Sequence, residues 1–303
     1  MTAAAAAGLA WAVAETRMFT VRTHAVAVLP AGTRPVRLLH VSDLHLTPQQ
    51  RLKREWVRSL ATLEPDLVIT TGDNLAHVDA VPAALDALGP LLGVPGAFVL
   101  GSNDYYAPQL KNPARYLLPS SRRSSTSEHP TTLPTPDLVA GFTGAGWLDL
   151  TNTRGELTVH GTRISLVGVD DPHLERDRFP ATEATDRGAL HLGVSHAPYT
   201  RVLDQMVADG CDLVLAGHTH GGQLRVPGYG ALVTNCDLDT GRASGLHGWP
   251  GPRPDAPGGA RSAWLNVSAG LGTSPFTPVR FACRPEVSLI ELLPTTASPA
   301  MAS

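Results

Sequence analysis

Short apolar runs that stop on a polar, ligand-capable residue recur along this chain. Val36–Ser42 is the first, mainly apolar and followed by Asp43, and it reads as a buried strand. From Gln49 to Leu63, Leu52, Trp56, Leu60 and Leu63 recur at helical spacing, while Arg51, Lys53, Arg54 and Arg58 mark an opposite, solvated face. Asp66–Thr71 predicts a second strand, closed by Gly72-Asp73. Val81–Leu92 predicts a second helix, and Ala97–Leu100 a third strand closed by Gly101. This βαβαβ alternation implies a largely parallel sheet with right-handed crossovers.

The rhythm stops between about residues 107 and 136, where Pro, Ser and Arg accumulate without periodicity, as in Pro119-Ser120-Ser121-Arg122-Arg123-Ser124-Ser125. Such a stretch is either a mobile surface insertion or a cap over a substrate. Arg115, Arg122 and Arg123 within it could grip phosphate or simply face solvent. Patterning resumes with a hairpin, Leu157–His160 and Arg163–Val169 around Gly161-Thr162, ending at Asp170-Asp171-Pro172-His173. A strand His191–Ser195 ends at His196, a helix follows from about Tyr199 to Ala208, and a strand Leu213–Ala216 ends at Gly217-His218-Thr219-His220. Trp264–Val267 and Val287–Leu292 are late strands, and Gly248–Gly259 reads as a loop. The chain therefore divides into a leader and first strand region (1–30), a single domain (31–293) and a disordered tail (294–303).

Composition narrows the chemistry. The 24 basic and 27 acidic side chains leave a formal charge of −3, which offers no field to draw in nucleic acid; none is expected as a partner. Three widely spaced cysteines form no C-x-x-C pair, which argues against a disulfide framework and fits a reducing, cytoplasmic setting. Ala3–Ala14 is apolar but lacks the basic start of a signal peptide and is too short to span a bilayer, so it is a frayed or helical leader, or the remnant of an anchor that allows peripheral membrane contact. Only Lys53 and Lys111 are lysines, whereas there are 12 histidines, and neutral imidazole is the commonest nitrogen ligand for transition metals.

Asp43 with His45, Asp73, Ser102-Asn103-Asp104, His196, and His218 with His220 all fall just beyond predicted strand ends. Those ends converge in open α/β sheets, so residues distant in sequence should meet there. Carboxylate, imidazole and amide oxygen together suit Mn, Fe, Zn or Co rather than calcium alone. His40, inside the first strand, reads as a packing or hydrogen-bonding residue.

The ordered segments Ser42-Asp43-Leu44-His45, Gly72-Asp73-Asn74, Gly101-Ser102-Asn103-Asp104, Ser195-His196-Ala197 and Gly217-His218-Thr219-His220 resemble the calcineurin-like metallophosphoesterases. The tail from Ser268-Ala269-Gly270-Leu271-Gly272 to Pro285-Glu286 is similar to their YkuE-type and YaeI-type bacterial branch. The resemblance implies a β-sandwich flanked by helices, the four-layer α/β/β/α arrangement. It also implies two divalent ions: one held by Asp43, His45, Asp73 and His220, the other by Asp73, Asn103, His196 and His218. With them come a phosphate-ester substrate of diester, phospholipid or nucleotide-sugar type and a bridging hydroxide that attacks phosphorus in line.

The third motif departs from that pattern, with Ser102 and Asn103 where the family has asparagine and histidine. Either Asn103 supplies the amide ligand after a one-residue slip, or Ser102 or water fills the place. The resemblance leaves Asp73, Asn103 and Asp104 as catalytic candidates, with Asp104 or His173 as stand-ins for the missing proton donor. A metal-binding module without turnover is the alternative to an enzyme. The sequence leaves the oligomeric state open.

Overall fold

The computed structural model describes residues 3–110, 130–181 and 188–295. In chain order the elements are α1 (Ala3–Glu15), β1 (Thr20–Leu29), β2 (Val36–Val41), α2 (Arg51–Ser59), β3 (Leu67–Thr70), α3 (Val81–Leu88), β4 (Gly96–Phe98) and the one-turn α4 (Ser102–Tyr105). There follow α5 (Thr135–Gly144), β5 (Leu148–Asp149), β6 (Arg154–Val159), β7 (Thr162–Gly168), β8 (Leu190–Val194), α6 (Thr200–Ala208) and β9 (Leu213–Ala216). A small hairpin, β10 (Arg225–Val226) with β11 (Gly230–Ala231), precedes β12 (Gly245–Trp249), β13 (Ala263–Val267) and β14 (Glu286–Pro294).

Two six-stranded sheets form, one ordered β1-β14-β2-β3-β4-β5 and the other β12-β13-β9-β8-β7-β6. Most neighbours are parallel, as the βαβ pattern requires, but β14 runs antiparallel to β2, β12 to β13 and β6 to β7. Period-two alternation explains the stacking. Along β2, Val36 and Leu38 join Leu67, Ile69, Leu192, Leu213 and Leu215 in the core between the sheets, while Leu39 and Val41 face the opposite way. There they meet Val57 of α2, Ala84 and Leu88 of α3 and Phe142 of α5. On the far side of the second sheet, Val214 and Leu265 pack on Val202, Leu203 and Met206 of α6. Three apolar layers thus separate four structural layers, the expected α/β/β/α sandwich.

Some local readings shift. The hairpin turns on His160-Gly161, both with positive φ (51° and 78°), so that Val159 pairs with Thr162. Helix α5 and strand β12 were not legible; α5 lies at the end of the Pro- and Ser-rich stretch and β12 runs into the segment read as a loop. Residues 111–129, including Arg115, Arg122 and Arg123, and the tail 296–303 lie outside the described residues. The leader is helical and docks by its C-terminal end: Glu15 accepts from the amides of Ala282 and Cys283, and Arg280 N donates to Ala12 O. Among the described residues no helix is long and apolar enough to cross a membrane.

Candidate metal centre

The loops after β2 and β3 continue to pair beyond the strands, with Asp43 N donating to Gly72 O and His45 N to Asp73 O (both 2.9 Å). This brings Asp43, His45 and Asp73 side by side, while the loops after β8 and β9 bring His196, His218 and His220 from the second sheet. Asp43 (φ 51°), His45 (φ 41°), Asp73 (φ 55°), His218 (φ 68°) and His220 (φ 48°) all occupy the left-handed region. Such residues cost on the order of 1–3 kcal/mol each and persist where the surroundings over-determine them. Two glycines make the approach feasible. A Cβ on Gly72 would strike the Gly101 backbone, and one on Gly101 would collide with Asp73 Oδ1 and the His196 ring.

Two groups of ligand atoms result. In the first, Asp43 Oδ1 lies 3.6 Å from His220 Nε2, and His45 Nε2 lies 3.3 Å from His220 Nε2 and 3.4 Å from Asp73 Oδ2. In the second, Asp73 Oδ1 is 3.6 Å from His196 Nε2, which is 3.3 Å from His218 Nδ1. Within Asp43–His45–His220, and again within Asp43–Asp73–His196, one ligand atom from each residue lies within 4.8 Å of the others.

The imidazoles are oriented from outside. His196 Nδ1 meets Thr71 O at 2.7 Å, His218 Nε2 meets Asn235 O at 3.2 Å and His220 Nδ1 meets Gly272 O at 3.2 Å. Carbonyls only accept, so these nitrogens carry the protons and the opposite nitrogens point lone pairs inward, the arrangement by which metal-ligating histidines are held. Burial pushes His45 and His218 well below the usual imidazole range and His220 to about 3, which keeps them neutral donors. Asp73 is driven upward by burial first and then by Asp43 and Asp104. His196 also rises: burial opposes its charge, but Asp73, Asp171 and Asp43 outweigh that, so without a cation beside these carboxylates its inward nitrogen carries a proton in place of the lone pair. Facing lone pairs and crowded buried carboxylates leave negative potential that divalent cations would neutralise. The donor set fits such ions.

Asp43 is itself held by a relay through the core. Asn266 Nδ2 donates to His40 Nδ1, His40 Nε2 to Thr71 Oγ1, Thr71 Oγ1 to Ser42 Oγ, and Ser42 Oγ to Asp43 Oδ2 at 2.6 Å. His40 is therefore a hydrogen-bonding core residue, as its strand position suggested. Arg280, fully buried, donates to the carbonyls of Ala269, Gly270 and Gly272 and so frames the loop beneath His220.

In the third motif, the main-chain N–H of Asn103 donates to Asp73 Oδ1 at 2.7 Å and its side-chain amide donates to Tyr106 O. Asp104 is completely buried, and its two oxygens accept from the amides of Gly101, Asp73 and Asn74. It ties the two loops together, a different task from the proton donation considered for it from sequence. Sequence reasoning gave no role to the Ser42, Thr71 and Asn266 side chains or to the Asn235 carbonyl, because only the folded loops bring them to the ligands.

The profile of the family described as Calcineurin-like phosphoesterase matches residues 36–222. The chain is 27% identical over 298 residues to the uncharacterized protein YpbG of Bacillus subtilis, covering 96% of this chain and 95% of that one. It is 28% identical to the UDP-2,3-diacylglucosamine pyrophosphatase LpxG of Chlamydia trachomatis (85% and 84% covered) and 25% identical to the phosphodiesterase YaeI of Escherichia coli (92% and 90% covered).

Proposed function

The chain belongs to the calcineurin-like phosphoesterase family, metal-dependent hydrolases of phosphoric esters, and from that premise we propose that its centre takes two divalent cations and cleaves phosphodiester-type bonds. One observation carries the reading: Asp73 turns one carboxylate oxygen toward His45 and the other toward His196, so a single residue serves two sets of imidazoles. Asp43, His45 and His220 complete one set; His196 and His218 complete the other, with Asn103 as its amide donor. Asn103 is already bonded to Asp73 through its main chain, which supports that assignment.

A bound pair of such cations supplies Lewis acidity to the phosphoryl oxygens and acidifies water near neutral pH. The chain's own residues do the rest. Asp104 fixes the Gly72–Asn74 and Gly101 loops relative to each other, Thr71 O and Asn235 O hold the rings of His196 and His218, and the Ser42 relay orients Asp43. The relatives named as a nucleotide-sugar pyrophosphatase and a phosphodiesterase favour a diester or diphosphate-linked lipid or sugar substrate over a phosphoprotein.

The test is metal analysis of protein purified with Mn²⁺, alongside hydrolysis of bis(4-nitrophenyl) phosphate. Two ions per chain with chelator-reversible turnover are expected, falling to one ion in His196→Ala. Two ions without turnover of any phosphate ester would reduce the protein to a metal-binding module.

A further inference from the structure

Phosphoester hydrolysis forms a phosphorus–oxygen bond to water and breaks the one to the leaving oxygen, which departs with the bond's electron pair and ends with a proton taken from that water. A donor aimed at the leaving oxygen lowers the cost of that step. Neither Asp104, bonded to three amides, nor Asn103, whose amide donates to Tyr106, is arranged for it.

The turn Pro172–Leu174 offers another group. The His173 ring lies 4.6 Å from that of His218, centroid to centroid, and its Nδ1 is 3.1 Å from the Tyr199 hydroxyl. The turn is fixed from within, because His173 N donates to Asp171 Oδ1 and Asp171 is fully buried. It is also latched to the third motif: Tyr105 donates its hydroxyl to Asp170 Oδ1 at 2.8 Å, Arg176 Nε donates to Asp170 Oδ2 at 2.9 Å, and the Arg176 guanidinium lies 4.0 Å from the Tyr105 ring centroid. The strand-end sequence that lost its histidine is thus joined to one that carries a histidine. Beside them opens a cavity of about 480 Å³ lined by His173, Tyr199, Arg178 and Arg201 together with Glu175 and Asp177.

We propose that His173, steadied by Tyr199, donates a hydrogen bond to the leaving oxygen, and that this cavity receives the departing group. The inference rests on the phosphoesterase reading and adds a catalytic residue to it. Arg201 is held by Asp177 at 2.6 Å and lies 5.0 Å from the Tyr199 ring centroid, which makes the cavity wall a fixed surface suited to a polar, oxygen-rich group.

The discriminating experiment compares diphenyl phosphate, a poor leaving group, with bis(4-nitrophenyl) phosphate, a good one, in metal-loaded wild type and His173→Ala. The expected loss is about 10²-fold or more on the first, within the range typical of lost proton-donor catalysis, and under about 10-fold on the second, with metal content unchanged. Should His173→Ala misfold, Tyr199→Phe is expected to show the same steepened dependence on the leaving group at smaller amplitude. Equal losses on both substrates, or a variant with fewer bound ions, would overturn the assignment while leaving the phosphoesterase reading intact. A wild type inactive on both esters would overturn the parent reading and this one with it.

Discussion

Among the described residues, two buried clusters have the outline of a metal site, and they are closed in opposite ways. His191, Asp209 and Cys211, like the strand-end centre, place ligand atoms within 4.8 Å of one another. There, however, Arg154 reaches Asp209 with both arms at 2.8 Å, His191 Nε2 donates to Asp209 at 2.9 Å, and Ser165 Oγ lies 2.8 Å from His191 Nδ1. The protein supplies its own cation. None of the three residues has a positive φ. At the strand ends, by contrast, Asp73 meets His196 and Asp43 meets His220, whose outward nitrogens are already spent on carbonyls, and the nearby Arg280 is engaged with backbone oxygens. Proximity of ligand types is common to both clusters; what neutralises the carboxylates separates a structural ion pair from a place for a metal.

The strongest way to break this contrast is at the shared carboxylate. Asp73→Asn should remove several kcal/mol of transition-state stabilisation, about 10³-fold in kcat/KM, and lower the bound metal below two ions per chain. The matching change in the other cluster, Asp209→Asn, should leave two bound ions but strand the charge of Arg154. About 3–5 kcal/mol of stability is at stake, read as a lowered urea midpoint. Ser42→Ala removes the last donor of the relay to Asp43. Metal affinity should weaken about 10–100-fold, the usual cost of losing an outer partner, with little change in Tm of the metal-free protein.

An effect confined to alkaline pH concerns Lys53, which the helical pattern placed on a solvated face but which is buried beside the centre, with Nζ donating to Leu44 O and held down to about 7 by burial and then by Arg280. Its unfolded form stays protonated to the ordinary lysine value, so between these limits the unfolded state binds more protons. Stability should therefore rise with pH from about 7 to 10.5, by up to about 1.4 kcal/mol per unit. Lys53→Met should remove that part of the slope in denaturant titrations across the same range.

The difference between the clusters was partly legible in the chain. Asp43, Asp73, His196, His218 and His220 each follow a short buried strand, and strand ends are where local patterning speaks about position; His191 sits inside β8 and Asp209 just after α6, which signals nothing. The strands β2, β3, β8, β9 and β13 were readable because apolar runs bounded by Gly and Asp are local signals. Helix α5 was not, because it starts at Thr135-Pro136 behind a proline-rich stretch and buries only Thr135, Leu138 and Phe142. Nor could sequence show which carbonyls aim the imidazoles. Asn235 and Gly272 contribute backbone oxygen, which any residue carries, and only the folded loops decide where it points. The same holds for His173, whose place beside His218 depends on the Tyr105–Asp170 latch between loops 65 residues apart.

Anomalous diffraction from crystals grown with Mn²⁺ tests the central claim most directly. Two peaks about 3.5–4 Å apart, one on each side of Asp73 and none at Asp209, are the predicted result. A single peak at the strand ends, or metal between His191 and Asp209, would contradict it.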